Sequence, residues 1–131
     1  MGDYTISTTL ARPYADAVHL VRTALGEQGF GILTEIDLKA TLKNKIDVDI
    51  DDQIILGACN PRFAYRGLQA EPSLGLLLPC NVVIRHQAGV TVVETIDPET
   101  MVTLTENPEM EPVALEVREA LKAALDRVAA A

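Results

Sequence analysis

The sequence predicts an α+β fold, in which helices pack on one face of a mainly antiparallel sheet. Segments with the periods of strands and helices alternate along the first half of the chain, and a hairpin follows them. A long amphipathic helix comes after the hairpin. No internal repeat or low-complexity linker interrupts this pattern, so we expect residues 1–131 to form one domain.

The first half of the chain predicts three strands, each followed by a helix. Alternating or continuous apolar residues mark the strands, which span Tyr4–Leu10, Phe30–Ile36 and Gln53–Ala58. Each helix starts at residues suited to a helix N-terminus, namely Pro13, Asp37 and the pair Asn60-Pro61. The third helix is expected to stop at Glu71-Pro72, since proline cannot continue a helix.

The second half predicts a hairpin and a helix. Asn81–His86 and Val90–Ile96 are interpreted as a hairpin, in which Gly89 can adopt the positive φ that a tight turn needs. For pairing with Gln53–Ala58, the first of these strands is taken as the apolar run Leu77–Ile84. The final helix carries one apolar stripe with acidic residues early and basic residues late, as the helix dipole favours. The stripe consists of Val113, Val117, Leu121, Ala124, Leu125 and Val128.

The charge balance argues against nucleic-acid binding. The chain has 19 acidic and 11 basic residues, which gives a net charge of −8. Such a chain repels phosphate unless a basic patch overcomes the overall field. Lys39, Lys43 and Lys45 come nearest to a patch, but four aspartates follow within residues 47–52.

We expect a cytoplasmic protein without a membrane anchor. No apolar run reaches the roughly 18 residues that a membrane span requires, and residues 1–5 carry no secretory or acylation signal. In the cytoplasm thiols are normally reduced, so Cys59 and Cys80 are expected to be free.

Motifs of the large enzyme classes are absent from the sequence, which identifies no cofactor. Phosphate-binding loops, dinucleotide fingerprints, paired zinc histidines and nucleophile elbows are all missing. Asp47, Asp49 and Asp51 have the spacing that opens a calcium loop. However, Asp52 and Ala58 stand where such a loop needs Gly and Glu, so we interpret the segment as a solvated acidic turn.

Two similar corners contain both cysteines. Ile54–Pro61 and Leu76–Asn81 are apolar runs that end in a Cys-Asn pair, Cys59-Asn60 and Cys80-Asn81. If the two flanking strands are antiparallel neighbours, the cysteines are expected to lie close together. Three interpretations remain open: two buried apolar thiols, a redox pair, or a soft-metal or small-ligand site.

Glu35 is a further candidate site residue. Glu35 and Asp37 lie two positions apart at a strand end, so their carboxylates share a face. Mutual repulsion is expected to raise the pKa of one carboxyl, a property that occurs at functional sites.

Several segments resemble those of the prokaryotic "domain of unknown function 302" family, over nearly the whole chain. The similar segments are Gly29–Asp37, Thr41–Lys43, Gly57–Pro61, Glu71-Pro72 and Gly75–Val83. The matching motif positions are Glu35, Asp37, Cys59, Asn60, Pro61, Cys80 and Asn81. The resemblance implies a fold similar to the TATA-box-binding-protein-like class and a homodimer, and it implies no particular activity.

The favoured hypothesis is a non-enzymatic homodimeric module that binds a small ligand or a soft metal. Its site would lie at the two Cys-Asn corners, with Cys59, Asn60, Cys80, Asn81 and Glu35 as ligand-binding candidates. The cysteines would be the metal ligands, although two thiolates do not complete a tetrahedral site. The alternatives are a thiol-dependent redox or transfer enzyme, with Cys59 as nucleophile and Cys80 resolving, and a structural or partner-docking domain.

Overall fold

The computed structural model describes residues 4–131, and the interpretation of the first three residues as free of targeting signals lies outside this range. Five strands and five α-helices occur within residues 4–131. They are β1 (Thr5–Leu10), α1 (Tyr14–Glu27), β2 (Gly31–Asp37), α2 (Leu38–Ile46), β3 (Gln53–Cys59), α3 (Pro61–Ala70), β4 (Cys80–Gln87), β5 (Val90–Ile96), α4 (Glu99–Thr105) and α5 (Glu111–Ala130).

The strands form one sheet with the order β1-β5-β4-β3-β2. Every neighbouring pair is antiparallel, so the predicted α+β class and antiparallel sheet are confirmed. The central strand is β4, while β1 and β2 form the two edges. A bulge between Ile32 and Thr34 interrupts the pairing of β2 with β3.

The core lies between one face of the sheet and the helices. Leu56, Val82 and Val93 point to this inner face and have no exposed surface. Helix α5 packs against α1, α3, α4 and β1, and α1 contacts β4. All six residues of the predicted α5 stripe are buried, because they repeat at the helical period along the side that faces the sheet.

The local signals at helix starts and at the hairpin are confirmed. Asp37 Oδ1 accepts a hydrogen bond from Ala40 N at 2.9 Å, so Asp37 caps α2. Ala88 and Gly89 both have positive φ, 50° and 82°, and make the tight turn between β4 and β5.

The interpretation of Leu77–Pro79 as the start of a strand is wrong. Residues Pro72–Leu77 form a 3-10 helix, and β4 begins only at Cys80. Leu76 is 87% exposed, whereas Leu77, Leu78 and Pro79 are half-buried. A short apolar run gives no periodicity that separates a strand from a compact turn, and here Pro72 starts a helical turn.

Candidate functional site

The corner Cys80-Asn81 divides its two side chains between the two faces of the sheet. Cys80 points to the inner face and is 5% exposed. Asn81 is the next strand residue, so its side chain stands on the outer face, where it is exposed. Its backbone carbonyl accepts a hydrogen bond from Thr95 Oγ1 at 2.8 Å. The Asn81 side chain is therefore available on the outer face.

The corner Cys59-Asn60 is a structural junction. Asn60 Oδ1 accepts hydrogen bonds from Arg62 N at 3.2 Å and Phe63 N at 3.4 Å, and thereby caps α3. Asn60 Nδ2 donates to the Gln28 carbonyl oxygen at 3.4 Å, and so links α3 to the end of α1. The oxygen and the nitrogen of the Asn60 side-chain amide are therefore both engaged in hydrogen bonds that stabilise the fold.

The expectation that Cys59 and Cys80 lie close together is wrong. The strands β3 and β4 are antiparallel neighbours as expected, but Cys80 lies opposite Ala58. Cys59 lies one residue farther along, and strand alternation turns its side chain away from the face that carries Cys80. The two thiols are not near each other. They therefore do not form a pair that could share a metal ion or close a disulfide.

The environment of Cys80 favours a protonated thiol. Burial raises the pKa of Cys80 from 9.0 to about 11, and the charge of Cys59 contributes a smaller rise. A space of only about 30 Å³ adjoins Cys80 between the sheet and helices α3 and α5. That volume is enough for about one water molecule.

Glu35 lies on the edge strand β2, away from both corners. Its Oε1 forms an ion pair with Arg22 Nη2 at 2.7 Å, which connects β2 to α1. Asp37, its neighbour on the same face, caps α2. Each carboxylate thus has a cationic or backbone partner, and both contribute to local structure.

The acidic turn after α2 is neutralised in part by a lysine. Lys43 Nζ lies 2.8 Å from Asp47 Oδ1 and 3.5 Å from Asp49 Oδ1. Within residues 4–131, no three His, Cys, Asp or Glu side chains are grouped so that they could hold a metal ion.

A large concavity forms a groove on the outer face, and the sequence patterns did not predict it. Its volume is about 720 Å³. The floor comes from β4 and β5, one wall from Leu76–Pro79, and the other from Tyr4 and the start of β1. The lining residues are Tyr4, Thr5, Leu76, Leu77, Leu78, Pro79, Asn81, Val83, Arg85, Glu94, Thr95 and Ile96. We call this concavity the outer groove.

Asn81, Val83 and Arg85 occupy alternate positions of β4 and therefore share the outer face. Along β4, these outward-facing residues alternate with buried residues that face the core. That alternation was the signal in the sequence from which the floor of the groove could have been predicted. It was missed because the wall Leu76–Pro79 depends on how the 3-10 turn folds back over the sheet.

An ion pair lies among the lining residues of the outer groove. Arg85 Nε donates to Glu94 Oε1 at 3.0 Å, and Arg85 Nη1 donates to Gln87 Oε1. The side chains of Arg85 and Glu94 are 24% and 19% exposed, so both are partly shielded from solvent. The groove thus combines apolar walls with an amide and a neutralised pair of charges.

A family model described as "Domain of unknown function DUF302" matches residues 6–128. The chain belongs to the DUF302 family. The match extends from β1 into the last turn of α5, and it confirms the resemblance found in the sequence. Among curated proteins, no sequence matches this chain.

A solved DUF302 structure has the same architecture. The crystal structure of an uncharacterized conserved DUF302 protein from Bacillus stearothermophilus superimposes with a TM-score of 0.90 at 25% sequence identity. The similarity covers 96% of this chain and 98% of that chain. In this DUF302 protein, no helix within residues 4–131 is long and apolar enough to cross a membrane.

Proposed function

We propose that this DUF302 protein is a non-enzymatic module that binds a small organic ligand in the outer groove, at the Cys80-Asn81 corner. The volume of the groove carries the proposal. Small-molecule sites in proteins typically occupy about 300–1,000 Å³, and the outer groove offers about 720 Å³. Its lining also follows the usual pattern of such sites, mostly apolar side chains with a few polar groups.

The two corners have different roles in this proposal. Asn81 faces the outer groove and contributes an amide, whereas both ends of the Asn60 amide are engaged in contacts to α3 and Gln28. The space beside Cys80 is about 30 Å³, too small for an organic ligand. Ligand binding is therefore assigned to the outer face, and the thiols are assigned to packing.

Binding of the neutral fluorescent probe N-phenyl-1-naphthylamine tests the proposal. Wild-type protein is expected to bind it saturably, with increased fluorescence. Leu76→Asp is expected to weaken binding about tenfold, because it replaces an apolar groove wall by a charge. Leu76 is 87% exposed, so the fold should tolerate this substitution.

The matched control is Leu104→Asp on α4. Leu104 is also largely exposed, but it does not line the outer groove. Its substitution should leave probe binding unchanged. Absence of saturable binding to the wild type, or an equal loss in Leu104→Asp, would contradict the proposed function.

The homodimer is a second part of the proposal. Support comes from the edge strand β2, where Leu33 and Ile36 are 66% and 44% exposed. A second copy of the chain would remove these apolar side chains from water. Sedimentation equilibrium is expected to give the mass of a dimer for the wild type and of a monomer for Ile36→Lys. Thr9→Lys on the opposite edge strand should leave the mass unchanged, and a monomeric wild type would contradict this part.

A further inference from the structure

The polar groups on the floor of the outer groove include Asn81 and Arg85 on β4 and Glu94 on β5, where Glu94 lies opposite Val83. Asn81, Val83 and Arg85 follow one another on the outer face of β4, so the amide and the guanidinium are attached about 13 Å apart along the strand. Val83 separates Asn81 from Arg85 along β4, while Ile96 on β5 and the wall Leu76–Pro79 provide further apolar surface. A ligand that lies along β4 in the groove is therefore elongated, and it contacts the Arg85–Glu94 pair in one part and mainly apolar side chains in another.

The Arg85–Glu94 pair makes its part of the groove electrically neutral but rich in hydrogen-bonding groups. Arg85 uses Nε on Glu94 and Nη1 on Gln87. A guanidinium has five N–H donors and a carboxylate has about four acceptor positions, so both groups can make further hydrogen bonds. A ligand group that both accepts and donates can bind across the pair without breaking it.

Charged head groups are disfavoured at the same place. A carboxylate attracted to Arg85 also meets the negative charge of Glu94, and an ammonium attracted to Glu94 meets Arg85. The net charge of −8 adds a general repulsion of anions. Partial shielding of the pair strengthens these effects relative to a fully solvated pair.

We propose that the outer groove selects an elongated, uncharged amphipathic molecule with a carboxamide-like head group. The head binds across Arg85 and Glu94, and the apolar chain lies along Val83 and Ile96 beside the wall Leu76–Pro79. This inference rests on the proposed function, since it names the ligand class of the same groove.

Competition for bound N-phenyl-1-naphthylamine tests the selection. Decanamide, decanoate and decylamine share an apolar chain of the same length and differ only in the head group. We expect decanamide to displace the probe at a concentration about tenfold lower than either charged analogue. Equal displacement by all three, or a preference for decanoate or decylamine, would contradict the inference while leaving the groove itself as a binding site.

Two variants of the ion pair should reverse the preference. Glu94→Gln leaves Arg85 without its charged partner and is expected to favour decanoate, whereas Arg85→Gln leaves Glu94 and is expected to favour decylamine. Circular dichroism verifies that each variant is folded before the competition is measured. A variant whose preference stays with decanamide contradicts the role given to the ion pair.

Asp126→Asn is the matched control. Asp126 pairs with Lys122 on the solvent side of α5, so this substitution changes the net charge by the same amount as Glu94→Gln without touching the groove. It should not alter the order of the three ligands. If it shifts the order as Glu94→Gln does, overall charge and not the Arg85–Glu94 pair sets the preference. If the wild type does not bind the probe at all, the proposed function fails and the selection fails with it.

Discussion

Gly57 packs closely against Pro79, so that a Cβ atom at position 57 would stand 2.7 Å from Pro79 Cγ. Thr34 crowds the same place from β2. Because Pro79 belongs to the wall of the outer groove, this close approach connects β3 to the proposed ligand site.

Gly57→Ala is expected to lower the free energy of unfolding by about 1–3 kcal/mol, because the added methyl overpacks a filled space. It should also weaken probe binding, since Pro79 must move. Urea denaturation and the fluorescence titration measure the two effects.

Gly26→Ala is the control. Outside the adjoining helix backbone, no atom lies within 4 Å of a Cβ at position 26, and Ala in helix α1 should raise the free energy of unfolding by about 0.5–1 kcal/mol. A stability of Gly57→Ala equal to that of the wild type would contradict the close packing.

Asn60→Ala is expected to lower the free energy of unfolding by about 1–2 kcal/mol, since it removes the cap of α3 and the link to Gln28. Asn60→Asp keeps the accepting oxygen but not the donor, so its loss should be smaller. Thermal and urea unfolding provide the measurement. Asn44→Ala, at an exposed position within α2, serves as control and should not destabilise the protein. Equal effects at positions 44 and 60 would refute the capping role.

Burial of Cys80 predicts a loss of stability at alkaline pH. Its pKa rises from 9.0 to about 11 on folding, so the folded state keeps a proton that the unfolded state releases. The stabilising contribution is complete below pH 9 and is lost as the pH rises through about 11. At pH 11 the loss in free energy of unfolding amounts to about 2 kcal/mol.

Urea midpoints between pH 8 and pH 11 measure this loss. The Cys80→Ala substitution is made in a parent protein that already carries one other substitution, and its urea midpoint should decline less with rising pH than that of the parent. The parent is Tyr14→Phe, because burial also raises the pKa of Tyr14, from 10.0 to about 12. Cys59→Ala in the same background should retain the full decline. A slope that Cys80→Ala does not change would be inconsistent with a buried, protonated thiol.

Glu99→Gln is expected to stabilise the protein at pH 7 more than at pH 4. Burial, followed by a hydrogen bond and the charge of Glu111, raises the pKa of Glu99, so its ionisation opposes folding as the pH increases. Solvent screening should keep the gain below about 1 kcal/mol. Melting temperatures at the two pH values test this, with Glu119→Gln on the exposed side of α5 as control. A gain that is the same at both pH values would speak against a raised pKa.

Local chemistry made most of the fold predictable from the sequence. Asp37 caps α2 and Asn60 caps α3, as predicted. These caps could be predicted because a capping side chain accepts hydrogen bonds from backbone N–H groups only two or three residues away. The α5 stripe follows from periodicity alone. Each of these features depends on residues that are neighbours in sequence.

The site was less predictable because it depends on register and on a turn. A shift of one residue decides whether Ala58 or Cys59 lies opposite Cys80, and apolar strands fit either register equally well. The groove wall forms because Leu76–Pro79 lie outside the sheet. The run of leucines does not predict this, since an apolar run is equally typical of a buried strand. Asn81 was identified as a candidate, whereas its groove partners Arg85 and Glu94 were not.

The strand order has a consequence for how the protein forms during synthesis. Thr5 at the start of β1 pairs with Ile96 at the end of β5, and in the part of the chain that the structure describes no other strand borders β1. As the chain emerges from the ribosome, β3, β4 and β5 can join in sequence, but β1 must wait until β5 has appeared. The first of these five strands to be translated is thus the last to find its partner. Until β5 has appeared, the apolar residues Ile6 and Leu10 of β1 must be shielded from water by other parts of the emerging chain or by chaperones.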